Sequence, residues 1–292
     1  MYAYSKKRRM WGILFVLPQF IGLILFSFIP IISAFGISFF TWDAMSPMVW
    51  TGTGNYISQF TNPDFRTALR NTLVYILYFL PPGIILPLIV ALALKNIKGK
   101  LFYRILYFMP VVASSVSVGV IWTWLLNDNF GLVNQALNAV GLQGQRWLTD
   151  PSLVLRSIAL VSVWWGLGFN LVIFLAGLQN VPTTYYEAAR IDGANKIKMF
   201  FRVTLPMISP TILFVTIMTI IGSFQIFDQA MVMTGGGPAR ASYTFVYHIY
   251  TTAFLRFQMG GASASAMVLL VIILTVTLIQ MVLSRKWVNY DQ

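Results

Sequence analysis

Long apolar stretches separated by short polar segments constrain this chain more than any other feature of its sequence. Of its 292 residues, 58% are hydrophobic and only 10% are charged, and the mean hydropathy is +0.74. A typical soluble domain carries about 25% charged residues. Apolar runs of about 20 residues are long enough to cross a bilayer as helices. The sequence therefore predicts an all-α membrane protein.

The apolar runs predict six transmembrane helices with both termini on the inner side. Most of the 20 Lys and Arg residues fall in segments that this arrangement places inside, as the positive-inside rule requires. Prolines should bend the first span and kink or break the second, because each removes a backbone donor. We expect a short helix near 132–140 and an outer loop over 234–261. The six spans are expected at about 11–40, 70–94, 101–126, 153–177, 205–233 and 262–283.

The basic cluster Lys6–Arg9 precedes the first apolar run, as it would in a signal peptide. The run that follows is too long for the apolar part of such a peptide, and it lacks a small-residue cleavage site. We therefore interpret it as the first transmembrane helix.

Composition and motifs exclude several function classes. The net charge of +12 is spread in short clusters between apolar runs, which does not favour nucleic-acid binding. The chain has no cysteine, and its one histidine, His248, cannot form a metal site alone, so we expect a surface or interface role for it. The glycines at 235–237 lack the Gly-Lys-Ser/Thr ending of a phosphate-binding loop. No cofactor is therefore expected on this chain, and no catalytic group or metal site.

One polar segment, 183–206, interrupts the apolar pattern between the fourth and fifth spans. Thr184 and Glu187 have capping-box spacing, which predicts a helix start. Gly193 can adopt the positive φ that ends a helix. A second short helix is expected over 195–202. Two short helices joined at a glycine on the inner side of a membrane favour a docking site for a soluble partner.

The same segment resembles the EAA loop of bacterial ABC importer permeases. That motif has the pattern EAA-x3-G-x9-I-x-LP, and the only departure here is Val203 in place of isoleucine. Further similarity to carbohydrate permeases of the maltose and glycerol-3-phosphate type follows at 227–228, 233–239, 247–250, 253–254 and 260–264, so the resemblance covers about 70–283. The resemblance implies ATPase coupling by Tyr186, Glu187, Ala188, Ala189, Asp192, Gly193, Leu205 and Pro206.

The resemblance also implies the fold and the assembly. It implies a type I ABC importer permease of six transmembrane helices in a bacterial inner membrane. The segments would be an N-terminal part (1–69), a permease core (70–284) and a cytoplasmic tail (285–292). The partners would be membrane lipid, a second homologous and usually non-identical permease, an extracytoplasmic solute-binding protein, and two ATPase subunits that carry ATP and Mg. The substrate would be a sugar or oligosaccharide.

Aromatic faces and a few amide or carboxylate groups are what a sugar site needs. In carbohydrate importers the mid-membrane site draws on the central helices, which makes polar and aromatic residues there candidates for the substrate pathway. Tryptophans also populate membrane interfaces, and amides also bind neighbouring helices. The candidates are Trp164, Trp165 and Asn170 in the fourth span and Phe224, Gln225 and Asp228 in the fifth.

Two other functions remain open from the sequence. One is an ABC importer for a non-sugar such as glycerol phosphate. The other is a secondary transporter, although Asp228 is the only acid expected within a span, whereas ion-coupled carriers normally show more buried acids and repeated halves. An enzyme is poorly supported, since no acid pair or nucleophile constellation is present.

Overall fold

The computed structural model describes residues 2–95 and 97–289, and these residues are mostly helical. Three π-helical segments, Ile24–Phe28, Phe200–Thr204 and Thr251–Leu255, and one hairpin of β1 (Phe40–Thr41) and β2 (Val49–Trp50) accompany the α-helices. The α-helices are α1 (Tyr2–Leu23), α2 (Ile29–Ile37), α3 (Gly54–Thr61), α4 (Pro63–Leu94), α5 (Lys100–Val112), α6 (Ser115–Leu125), α7 (Leu132–Ala139), α8 (Val154–Gln179), α9 (Thr183–Ile191), α10 (Lys196–Met199), α11 (Leu205–Met207), α12 (Ser209–Phe224), α13 (Asp228–Thr234), α14 (Phe245–Tyr250) and α15 (Met259–Ser284).

Within the described residues, four helical stretches are long and apolar enough to cross a membrane, and two bent helix pairs would raise this number to six. The four are Lys7–Ile37, Pro63–Leu94, Val154–Gln179 and Met259–Ser284. The predicted fourth and sixth spans match two of them closely. The short helix predicted near 132–140 is confirmed by α7.

The third and fifth spans were wrongly predicted as single helices. In the third, α5 and α6 meet at 94°, because Ala113 and Ser114 both adopt extended backbone angles. In the fifth, the chain bends by 67° at Ile208, and α12 ends at Phe224. Asp228 therefore begins a separate short helix, α13, and does not lie within the fifth span.

The second span is not broken, unlike the third and the fifth. Its three prolines were expected to kink or break it, yet α4 is one α-helix of 32 residues. Pro87 cannot donate to the carbonyl of Gly83, four residues earlier. The side-chain amide of Asn170 on α8 donates to that carbonyl instead, at 2.9 Å. A neighbouring helix thus replaces the missing backbone donor.

The structure divides into two compact units. The first contains 1–62 and 249–270. In it the stacked rings of Phe39 and Trp50 hold the hairpin, and the Asn55 amide donates to the carbonyls of Ser38 and Phe40. The backbone N–H of Met259 bonds the Trp42 carbonyl. The predicted outer loop over 234–261 is wrong, because α14 and a π-helical segment together occupy 245–255 of it.

The second unit, 63–248 with 271–292, is built around α4, α8 and α12. Glycines allow the helices to approach closely: a Cβ at Gly168 would lie 2.2 Å from the Tyr107 carbonyl of α5, and one at Gly177 would lie 2.4 Å from the Thr211 hydroxyl of α12. Close packing of this kind is typical of membrane helices. The buried core cluster is Ala91, Leu94, Leu171, Phe174, Leu175, Leu178, Val181, Ile208 and Val215.

His248 belongs to this unit, and its predicted surface or interface position is wrong. Its side chain is fully buried (0% exposed) among the rings of Phe65, Tyr243 and Phe245. The Tyr243 hydroxyl lies 3.2 Å from its Nδ1 atom. The histidine is therefore part of an aromatic core at the start of α4.

Candidate coupling and substrate sites

The polar segment forms a two-helix projection, which we call the handle (182–207). Its first helix, α9, begins after Pro182, and no side chain caps it, so the predicted capping box of Thr184 and Glu187 is wrong. The helix ends as predicted. Gly193 has a φ of +72°, and the N–H of Ala194 reaches back to the carbonyl of Ala189 at 2.9 Å. These are the features of a Schellman motif.

The second half of the handle is longer than predicted. The Asn195 side chain caps α10 by accepting from the N–H of Lys198 at 2.8 Å. The helix then continues through the π-helical segment Phe200–Thr204 into α11, which contains Leu205 and Pro206. Pro210 cannot donate to the Pro206 carbonyl, and the Ser209 hydroxyl donates there instead, at 2.6 Å. This junction is where the 67° bend occurs.

Tyr186 fastens the handle to the helical core. Its hydroxyl accepts from the Lys95 ammonium group at 3.2 Å and lies 3.1 Å from the Thr204 hydroxyl. The same ammonium group lies 4.4 Å from the centre of the tyrosine ring. The ring packs against the core cluster of α4, α8 and α12. A displacement of α9 would therefore pull on the ends of these helices.

The outer surface of the handle is exposed and mixed in character. Glu187, Ala188 and Asp192 are exposed, and Ala189 is half-buried. The handle also exposes two isoleucines: Ile191 is 87% exposed and Ile197 is 68% exposed. Such a projecting surface, with apolar side chains among charged ones, is typical of a protein-binding site.

A cavity of about 600 Å³ lies within the second unit, and four of the six predicted pathway residues line it: Trp165, Asn170, Gln225 and Asp228. The volume is within the range of small-molecule sites. Among the described residues, no three His, Cys, Asp or Glu side chains group as a metal site would require. The remaining lining residues are Tyr75, Phe79, Val111, Ser162, Gly166, Phe169, Met218, Thr219, Gly222, Ile226, Phe227 and Gln229.

Two of the four predicted residues use their polar atoms to hold helices. The Trp165 indole donates to the Ala113 carbonyl at 3.2 Å, at the break between α5 and α6. Asn170 donates to the carbonyl of Gly83 and also lies 3.2 Å from the Thr219 hydroxyl. Only the ring face of the tryptophan and the amide oxygen of the asparagine are therefore left for a ligand.

Trp164 and Phe224 point elsewhere. Trp164 lies against Trp122, with ring centres 5.4 Å apart, and lines a different pocket with Leu106 and Pro110. Phe224 is buried at the end of α12. The structure thus brings four of the six candidates together and leaves these two apart.

Three aromatic residues of the cavity on α4 and α8 were not predicted. Tyr75 and Phe79 on α4 stack with ring centres 5.4 Å apart, and Phe169 lies four residues after Trp165 on α8. Residues four apart share one face of a helix. The sequence signal that could have identified them is a pair of aromatic residues four apart on each of two helices. One pair is on α4, which contains the three prolines, and the other is on α8, which contains Asn170.

A family profile described as "Binding-protein-dependent transport system inner membrane component" matches residues 65–289. The chain belongs to this family. The permease is 36% identical to "Probable ABC transporter permease protein YesP" of Bacillus subtilis, over 98% of this chain and 94% of the relative. It is 35% identical to "Arabinooligosaccharides transport system permease protein AraP" of the same organism, over 97% and 91%.

Among solved structures, the permease fold matches a chain of a "bacterial alginate ABC transporter in complex with alginate pentasaccharide-bound periplasmic protein". The TM-score is 0.84 and the sequence identity is 23%, with 97% of this permease and 96% of that chain covered. The likeness establishes the fold of the permease. It also agrees with the ABC importer architecture predicted from the EAA-like segment.

Proposed function

We propose that this permease is the membrane-spanning subunit of a bacterial ABC importer, and that it moves a sugar or oligosaccharide delivered by a solute-binding protein. One observation carries the proposal: the same three helices, α4, α8 and α12, line the cavity and hold the handle. On α8, Asn170 precedes the last residue, Gln179, by nine residues, or about 14 Å at 1.5 Å per residue. A force applied at the handle therefore acts on the walls of the cavity.

The partners follow from this role. Two cytoplasmic ATPase subunits would carry ATP and Mg, since the sequence has no phosphate-binding loop. A second, homologous permease would complete the pathway. In the assembled importer, all six candidate stretches would cross a bacterial inner membrane, with both termini in the cytoplasm. The periplasmic protein in the alginate transporter structure supports an extracytoplasmic solute-binding partner here.

ATP would be coupled to transport by a shift of the permease between two conformational states. ATP-driven closure of the ATPases would move α9, and Tyr186 would transmit the movement to the helix ends. The exposed residues Glu187 and Ile191 would contact the ATPase, and Gly193 would allow the turn. ATP can favour one state only through its different affinity for the two states.

The chemistry of the cavity favours a saccharide. Aromatic rings line it together with amide and carboxyl groups, which suits a ligand with both C–H faces and hydroxyls. No basic residue is among those that line it, so the cavity offers nothing to pair with glycerol phosphate. The sugar named for the AraP relative is consistent with this proposal.

Single-cysteine variants test the side on which the handle lies, because the natural chain has no cysteine. The Ile191→Cys variant should react with a membrane-impermeant maleimide only after spheroplasts are permeabilised. Met45→Cys, which is equally exposed (84%), is the matched control and should react in intact spheroplasts. Labelling of the Ile191→Cys variant in intact spheroplasts would refute the proposed coupling role.

Substitutions at Gly193 test docking itself. A Cβ at this position would meet open space, so the effect of a side chain is on the backbone alone. Valine tolerates positive φ poorly, whereas asparagine tolerates it. Gly193→Val should reduce ATPase co-purification and ATP-dependent uptake, and Gly193→Asn should retain most of both. Equal behaviour of the two variants would contradict the idea that this turn positions the docking surface.

A further inference from the structure

The charge of the central cavity has a simple distribution. Asp228 is the only acidic residue among the lining side chains, and no Lys, Arg or His is among them. The other lining side chains with polar atoms are uncharged: the amides of Asn170, Gln225 and Gln229, the hydroxyls of Tyr75, Ser162 and Thr219, and the indole of Trp165. The cavity therefore carries a single formal charge, and its sign is negative.

Asp228 lies where it can act on a ligand. It is the first residue of α13, directly after the break that follows α12. The Ser115 hydroxyl, at the start of α6, donates to its Oδ2 atom. Among the described residues no other hydrogen bond to its carboxylate forms, and none of the basic residues there pairs with it. Asp228 also lines the cavity, so its Oδ1 atom remains free to accept from a ligand.

We propose that Asp228 is a specificity-determining residue, which makes the cavity accept uncharged saccharides and reject acidic ones. The inference rests on the proposed function and narrows its substrate class. A carboxyl oxygen can accept hydrogen bonds from sugar hydroxyls. The carboxylate of a uronic acid would instead meet a like charge in a space that no cationic side chain lines. Like-charge repulsion at such a site is much stronger than in water.

The test is a binding experiment on the full chain, co-purified with its partner subunits in lipid nanodiscs. The probes are two matched pairs: 1,4-linked galactotriose with trigalacturonic acid, and cellobiose with its glucuronic acid analogue. Members of a pair differ only by carboxylates in place of hydroxymethyl groups. Saturation-transfer NMR titration measures each dissociation constant. We expect the neutral member of at least one pair to bind at least about tenfold more tightly.

The Asp228→Asn variant keeps the shape of the side chain and removes its charge. It should therefore reduce the ratio of the acidic to the neutral dissociation constant about tenfold or more. Two control variants should leave this ratio unchanged. Asp150→Asn removes the same charge from an exposed turn, where the asparagine oxygen can still accept from Ser152. Ser115→Ala removes the hydroxyl that contacts Asp228 and keeps the carboxylate. A loss of discrimination in Ser115→Ala would mean that the contact between α6 and α13 matters, and not the charge.

A second variant keeps the inference testable should Asp228→Asn not assemble. Gln225→Lys adds a cation to the same cavity and should raise the affinity for the acidic member of each pair. The inference is overturned by any of three results: acidic and neutral probes bind wild type equally, neither neutral probe binds, or neither variant changes the ratio. The proposed function fails by a different result, namely that the assembled complex shows no ATP-dependent saccharide uptake.

Discussion

The contact between Asn170 and the Gly83 carbonyl gives the sharpest prediction of stability. Pro87 leaves that carbonyl without its helical donor, and Asn170, which is 8% exposed, supplies the donor at 2.9 Å. Asn170→Leu keeps the size of the side chain and removes the amide. The carbonyl of Gly83, which is buried, would then have no partner.

An unsatisfied buried carbonyl costs about 1–3 kcal/mol. For a chain of this size, each kcal/mol lowers the unfolding midpoint by about 2–4 °C. Asn170→Leu should therefore lower the midpoint by about 2–12 °C. The contact with the Thr219 hydroxyl is longer, at 3.2 Å, and Thr219→Val should have a much smaller effect. Midpoints are compared at one scan rate in one detergent, because unfolding of such proteins is often irreversible.

The decisive variant is Pro87→Ala, which restores a backbone N–H four residues after Gly83. In that background Asn170→Leu should cost much less than it does in wild type. A double-mutant cycle measures the difference directly. An equal loss in both backgrounds would refute the reasoning, since the asparagine would then stabilise the chain by some means other than replacing the proline donor.

Two further predictions concern packing and pH. Gly168→Ala should destabilise the chain by about 1–3 kcal/mol in a thermal unfolding assay, because the added methyl would meet the Tyr107 carbonyl. Gly166→Ala is the control: its methyl would meet open space, and the variant should be neutral in the same assay. Hydrogen bonds from Ser46 and Met45 lower the pKa of Asp43 from 3.8 to about 2. The contribution of the Asp43 carboxylate to the stability of the exposed turn is therefore complete above about pH 4. It is lost as the pH falls through about 2. NMR of the Asp43 carboxyl carbon should show this low midpoint, and a midpoint near 4 would contradict it.

The parts of the fold that depend on local signals were predicted well. The start of α10 at Asn195 and the turn at Gly193 depend on residues close in sequence, and both are where the pattern placed them. The start of α9 was wrong by one residue, and its expected cap does not form. Proline precedes the helix, and its fixed backbone angle suits that position without any side-chain oxygen.

The helix breaks could not be predicted, because tertiary contacts decide them. Hydropathy is continuous across Ala113, yet the chain turns there, and Trp165 from another helix satisfies the exposed carbonyl. The reverse holds at Pro87, one of three prolines expected to kink or break the second span: the helix continues, and Asn170 supplies the missing donor. In both cases the donor lies more than 50 residues away in sequence. The same contacts explain why two polar candidates in the cavity also have a structural role.

The amide that joins α8 to Gly83 also restricts how the transporter can move. Sliding of α4 along α8 by even one residue would separate the donor from its carbonyl, since the rise per residue is 1.5 Å. The hydrogen bond therefore favours movement of the two helices together. We expect reorientation during a transport cycle to occur at the joints, at Ala113–Ser114 and at Ile208, where the backbone has already left the helical path.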